Sequence, residues 1–208
     1  MDALSNARSS KDRSQGGMCL SILGLYLWKL VIAIVNRTRR IETVKSLQGL
    51  KVGVFGSDEW AKHCSGSIKY AGQATYAQCA DAFSQGRIGL AWGPTQFVHS
   101  YSERIMQAMA GGACVVADDR MMVRQDFNGS MDESSSNQTA SLFDWSIANL
   151  QNLRKKIDEL LAQPGIALDQ ARRGRIHVEN TCLWEHRVDQ MFNLADSCPR
   201  PKVQTAQS

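Results

Sequence analysis

The chain has 208 residues, of which 43% are hydrophobic and 21% charged. It is therefore long enough for one domain with a sizeable core, and its composition excludes a collagenous, a wholly disordered or a disulfide-dense protein. The net charge of +4, from 24 Lys and Arg against 20 Asp and Glu, is too small to indicate a nucleic-acid partner. The six cysteines form no Cys-x-x-Cys pair, which predicts free thiols in a reducing, cytoplasmic compartment and no metal site.

The first 48 residues differ in character from the rest of the chain. Residues 1–17 are polar and basic, and we expect a disordered tail because they bury too little apolar surface to offset the entropy of ordering. Residues 18–35 form an apolar run that contains Lys29 and has basic residues on both sides. Two alternatives stay open for this run. It is either a helix packed on or beside the following domain, or a membrane anchor that holds the body at the inner face of a membrane.

Short apolar runs ended by glycine or polar residues predict the strands of the body. Strands are expected over residues 52–55, 68–72, 87–92 and 113–118, with helices over residues 75–85 and 102–110. Further along, the apolar spacing predicts a helix over residues 142–163 that ends at Pro164, and a last helix over residues 168–194.

The alternation of strands and helices indicates a fold class. Strands that are apolar throughout, separated by helices, are typical of a Rossmann-like, doubly wound parallel α/β sheet. The predicted organisation is a tail over 1–17, an apolar and basic helix over 18–48, the α/β domain over 49–195, and a flexible tail over 196–208. Ligands of such sheets bind beyond the carboxyl ends of the strands, so the loops after residues 55, 92 and 117 are the candidate site.

A family resemblance rests on residues 102–120, SERIMQAMAGGACVVADDR. This segment is similar to the S-x-R-x-x-E-A-M-A-x-G-x-x-x-x-x-D segment of GT-B glycosyltransferases, and it most resembles their spore-coat, CgeB-like branch. Shorter similarities lie at residues 72–80, 87–90 and 177–192, and a basic helix precedes the first strand. Together they extend the resemblance over residues 37–192.

The resemblance implies the C-terminal, donor-binding half of a two-domain fold that takes a nucleotide-diphosphate sugar as its substrate. In that family Ser102 and Arg104 would contact the diphosphate through a helix N-terminus and a guanidinium group, with no metal. The resemblance also implies a ribose contact at Gln107. From their positions in the predicted sheet, the backbone of Gly56 and Ser57 is a further candidate contact to the donor, and the ring of Tyr70 is a candidate contact to its base.

Three positions depart from the family pattern. Gln107 stands where Glu is usual, Glu103 adds a negative charge beside the phosphate site, and Asn180-Thr181 replaces a His-Thr pair. The pair Asp118-Asp119 follows a buried strand without Asp-x-Asp spacing, so we interpret it as a strand-end turn and helix N-cap rather than a metal site.

Three functional hypotheses follow from the sequence. The first is a hexosyltransferase-like enzyme that moves a glycosyl group from a nucleotide sugar to an acceptor, with a separate chain supplying the N-terminal half. The second is a catalytically inactive nucleotide-binding or interaction module. The third is the truncated half of a split glycosyltransferase, associated with a membrane through residues 18–35.

Overall fold

The computed structural model describes residues 3–95, 99–128, 138–143 and 149–197, with side chains from residue 22 onward. Five strands are present in these ranges: β1 Val52–Phe55, β2 Ile68–Gly72, β3 Ile88–Ala91, β4 Cys114–Asp118 and β5 Ser141–Phe143. The helices are α1 Ala3–Ser46, α2 Cys79–Ser84, α3 Arg104–Ala110, α4 Met121–Val123, α5 Leu150–Ala162, α6 Pro164–Thr181 and α7 Trp184–Ser197. Two 3₁₀ helices cover Asp58–His63 and Tyr76–Gln78, and a π-helical segment covers Arg124–Asn128.

All strand pairs in the described residues are parallel. β1 pairs with β2, while β4 lies between β3 and β5 in a three-stranded sheet. Strand β4 is buried along its whole length, which is typical of a sheet covered by helices on both faces. The predicted Rossmann-like, doubly wound α/β fold is confirmed.

The side chains of β4 divide the main core into two layers. Cys114 and Val116 pack with the buried face of α5, whereas Val115 and Ala117 pack with α3 and α6 on the other side of the sheet. Because successive residues of a strand point to opposite faces, a single five-residue strand contributes to both layers. A third, smaller cluster joins α1 to β1 and β2 through Val44, Val54 and Ile68.

Glycine allows α2 and α3 to pack closely. A Cβ atom at Gly111, at the end of α3, would lie 2.4 Å from the carbonyl oxygen of Ala80 in α2. The next residue, Gly112, has φ +78, a left-handed conformation that turns the chain from α3 into β4. The Gly-Gly pair therefore ends the helix as predicted and sets the distance between two helices.

Two of the predicted elements are wrong. The predicted helix over residues 142–163 begins at Leu150 instead, because residues 141–143 form β5 and pair with Val116–Asp118 of β4. The predicted last helix is two helices, α6 and α7, and Pro164 begins α6 rather than only ending α5. Proline is well suited to the first turn of a helix, where its missing N–H group has no helical partner.

Helix α1 is attached to the sheet by a buried ion-pair cluster at the end of β4. Arg39 Nη2 donates to Asp118 Oδ1 at 2.9 Å, and Arg120 Nη2 donates to Asp118 Oδ2 at 2.8 Å. The side chain of Arg39 is only 12% exposed, that of Asp118 5% and that of Arg120 9%. The backbone N–H of Gly93 also donates to Asp118 Oδ2, at 3.0 Å. The expectation of a simple turn and helix cap at Asp118 is therefore wrong, since this carboxylate joins α1, β4 and the loop after β3.

The part of α1 that precedes this attachment is exposed where its side chains are described. Its large apolar side chains from Ile22 to Val35 are exposed, whereas Thr43, Val44 and Leu47 are buried against the domain. Among the described residues, no helix combines the length and the hydropathy that a membrane span requires. The proposed division of the chain at residues 17, 48 and 195 stays a prediction.

We predict that Asp118→Asn lowers the free energy of unfolding by about 3–5 kcal/mol, because it leaves two buried guanidinium groups without their carboxylate. Chemical denaturation measures this loss. The matched control is Asp119→Asn, whose ion pair with Arg124 is more exposed and should contribute about 0–1 kcal/mol. Equal effects of the two substitutions would contradict the assignment of Asp118 as the attachment point.

Candidate functional site

A cleft of about 520 Å³ opens where the carboxyl ends of β1 and β3 face helix α1. Its walls are formed by Arg37 and Arg40 of α1, by Ser57 and Trp60 after β1, and by Pro94 after β3. Small-molecule sites commonly occupy about 300–1,000 Å³, and they favour this edge of a parallel sheet. The cleft is therefore the candidate site.

Arg40 and Arg104 bring two positive charges together at this edge. Burial lowers the pKa of Arg40, and repulsion from the guanidinium groups of Arg104 and Arg39 lowers it further. Arg39 is neutralised by Asp118. Arg40 and Arg104, by contrast, make no hydrogen bond or ion pair with any residue that the structure describes. Two neighbouring guanidinium groups without a carboxylate partner suit an anion such as a phosphate.

Ser102 adds an unsatisfied hydroxyl two residues before Arg104. Its Oγ is buried and has no hydrogen-bond partner in the described structure, while its carbonyl accepts from the N–H of Ile105 at 3.3 Å. Helix α3 begins at Arg104, two residues later than the sequence predicts, and Glu103 provides no side-chain cap. A buried hydroxyl without a partner costs free energy, which a bound acceptor group would recover.

The loop after β1 is held in place by Tyr70. The Tyr70 hydroxyl lies 2.8 Å from Asp58 Oδ1 and 3.0 Å from the carbonyl oxygen of Gly56. Its hydrogen bond lowers the pKa of Asp58, and Gln73 lowers it further. Desolvation, and then the contact with Asp58, raise the pKa of Tyr70. In this structure Tyr70 orients the backbone beside Ser57.

Gly56 is required for the shape of this loop. A Cβ atom there would lie 2.6 Å from Cδ1 of Trp60, so the indole ring covers the glycine directly. Trp60 in turn meets His63 edge to face, with ring centroids 6.1 Å apart. The loop after β1 therefore presents an aromatic wall to the cleft as well as the backbone of Gly56 and Ser57.

The structure brings together some of the residues that the sequence singles out. Ser57 lines the cleft with Arg40, and Arg104 interacts electrostatically with Arg40. Gln107 makes a different contact, in which its Nε2 lies 3.4 Å from the carbonyl oxygen of Tyr76. The described contacts therefore form two groups: Ser57 and Arg104 are grouped around Arg40 of α1, and Tyr76 contacts Gln107. Arg104 and Gln107 both belong to α3.

Sequence reasoning missed Arg40, the residue that links the cleft to Arg104. A signal was available, because Ala33, Arg37 and Arg40 follow one another at helical spacing and share a face of α1. The missing information was which face of α1 meets the sheet. In the described part of the chain, no cluster of His, Cys, Asp and Glu could hold a metal ion.

Comparison with known proteins places this geometry in a family. A solved structure of sucrose-phosphate synthase from Thermosynechococcus elongatus, a GT-B protein, matches with a TM-score of 0.59 and 19% identity. The match covers 78% of this chain and 43% of that one, so the chain spans less than half the length of this neighbour. A comparison with curated proteins finds no match.

The family model described as "Glycosyl transferase-like" matches residues 37–193. This range begins on α1, shortly before Arg40, and includes β1 to β5, Arg104 and α6. Because the match spans most of the chain, and because the fold agrees with it, this protein belongs to the glycosyl transferase-like family.

Proposed function

We propose that the chain binds the diphosphate of a nucleotide-sugar donor at Arg40 and Arg104, and that it acts as the donor half of a glycosyltransferase. The observation that carries the proposal is that Arg40 lines the cleft at the carboxyl edge of a parallel sheet and is repelled by the guanidinium group of Arg104, while neither pairs with a carboxylate among the described residues. A diphosphate carries the complementary charge, and its oxygens accept hydrogen bonds from guanidinium donors.

The surrounding residues support a donor in this place. The unpartnered Ser102 hydroxyl can donate to a phosphate oxygen, and the backbone at Gly56 and Ser57 lies at the same edge of the sheet. Two guanidinium groups and a hydroxyl would stabilise the negative charge on a departing nucleoside diphosphate, so the proposal needs no metal. The motif in residues 102–120 favours the CgeB-like branch of the family.

In this proposal a second half completes the enzyme. The chain spans 43% of its structural neighbour, and a separate N-terminal GT-B half would provide the acceptor site and the group that accepts the acceptor's proton. Transfer breaks the bond between the anomeric carbon and the diphosphate, forms a bond from that carbon to the acceptor oxygen, and leaves the nucleoside diphosphate at Arg40 and Arg104.

A second candidate function is nucleotide binding without transfer. Gln107 favours it, because its amide donates towards the carbonyl oxygen of Tyr76 and cannot accept from a ribose hydroxyl as strongly as a carboxylate would. Titration with nucleotide sugars together with an assay for released nucleoside diphosphate separates the two functions. Binding without release, in the presence of a partner half, would favour the module.

We expect Arg40→Ala and Arg104→Ala each to weaken binding of a nucleoside diphosphate by about tenfold to a hundredfold. The reason is that a hydrogen bond to a charged group contributes about 1.5–3 kcal/mol. Calorimetric titration with UDP, GDP, ADP and TDP measures the change. Arg175→Ala is the matched control, since this arginine pairs with Glu179 on the exposed surface of α6. Unchanged affinity in both site variants would refute the proposed diphosphate site.

Ser102→Ala should weaken the same binding by roughly fivefold and leave the stability of the ligand-free protein unchanged or slightly higher. Its Oγ has no partner to lose in the ligand-free state but gains one from the phosphate. Thermal unfolding with and without the tightest-binding nucleotide measures both quantities. A loss of stability without ligand would show that the hydroxyl has a structural role instead.

Gln107→Glu is predicted to tighten binding of a ribonucleoside diphosphate by roughly threefold to tenfold, because a carboxylate accepts more strongly from ribose hydroxyls. The same titration with a 2′,3′-dideoxy analogue is the control, and it should show no gain. An equal gain in affinity for both nucleotides, or no gain for either, would show that residue 107 does not bind the ribose hydroxyls.

A further inference from the structure

In the exposed segment of α1, residues 22–35, the large apolar side chains are not covered by any part of the chain that the structure describes. Ten large apolar residues in it are between 40% and 67% exposed, among them Tyr26, Leu27, Trp28 and Ile34. Side chains of this kind are normally covered in a folded protein, and a contiguous exposed group of them marks an interaction surface.

The distribution of these side chains around the helix indicates what covers them. At about 100° per residue, the ten positions leave no gap wider than about 60° around the helix axis. A partner helix or a second copy of this chain covers one face and leaves the others exposed to water. A helix that is apolar on all sides needs an environment that surrounds it, as a lipid phase does.

The charges of the segment favour a lipid surface. Lys29 can extend its ammonium group along the helix towards the phosphates. Arg37 follows the segment with its side chain 69% exposed, which places a further positive charge at the level of the headgroups. In the sequence the apolar run extends from residue 18 to residue 35, which is about 27 Å of helix against the roughly 30 Å of a hydrocarbon core.

We propose that the apolar segment of α1 inserts into an anionic membrane and holds the α/β domain at the lipid surface. Arg39 and Arg40 continue the same helix into the domain, so the candidate site lies within a few helical turns of the headgroups. The proposal concerns the exposed large apolar side chains of the segment, none of which lines the cleft although Ala33 does, and it does not depend on nucleotide binding.

The test is flotation of the full chain with vesicles of phosphatidylcholine, with and without added phosphatidylglycerol. We expect the wild type to float with both, and more completely with the anionic vesicles. Leu27→Asn with Ile34→Asn should lower the bound fraction at least about tenfold, since a polar amide is costly in hydrocarbon. Lys29→Gln should reduce the preference for anionic vesicles.

The matched control is Phe192→Asn with Leu194→Asn in α7, two positions that are 66% and 69% exposed. This control should float like the wild type. Because all four positions are exposed, circular dichroism should show both double variants folded. Absence of flotation by the wild type, equal losses in both double variants, or light scattering that shows a dimer through α1 in place of vesicle binding would each overturn the proposal.

Discussion

The buried carboxylate of Asp118 is the contact on which the arrangement of this protein depends. It accepts from Arg39 on α1, from Arg120 after β4, and from the backbone of Gly93 after β3. A buried charge is tolerated only when it is paired and hydrogen-bonded, and here two cations share one anion. Arg120 also donates to the carbonyl oxygens of Gly93 and Pro94, at 3.2 Å each. One carboxylate therefore holds three segments of the chain at the carboxyl edge of the sheet.

This attachment also determines where Arg40 lies. Arg39 and Arg40 are consecutive on α1, so their side chains leave the helix about 100° apart. When Arg39 turns into the sheet to meet Asp118, Arg40 is directed along the edge towards Arg104 and the cleft. The structural ion pair and the candidate anion site are therefore two consequences of one helix orientation. Arg39 is paired with Asp118, whereas Arg40 has no carboxylate partner among the described residues.

Two of the exposed apolar surfaces lie near the ends of the described chain. None of the fourteen residues of α7 is buried, and Trp184, Met191 and Phe192 are among its exposed side chains. The segment of α1 before the attachment is exposed in the same way, but it is apolar around its whole circumference. Between them lies a core in which β4 is covered on both faces.

The sequence by itself determined β1 to β4, the turn at Gly111-Gly112 and the fold class. These features depend on local information: runs of apolar residues, glycine where the backbone needs it, and a motif of contiguous residues. It did not determine β5, whose three residues are stable as a strand only because β4 offers its edge. Nor did it show that Pro164 begins α6 or that α6 and α7 are separate helices.

Only the tertiary structure decided that Asp118 pairs with Arg39, 79 positions away, and that Arg40 approaches Arg104. Helical spacing shows which residues of α1 share a face. Which of these faces meets the sheet depends on the buried carboxylate of Asp118, on a strand far away in the sequence. The orientation of α1 depends on the cost of desolvating charged groups and the gain from pairing them. Because these groups lie far apart in the chain, a local sequence pattern contains no information about the pairing.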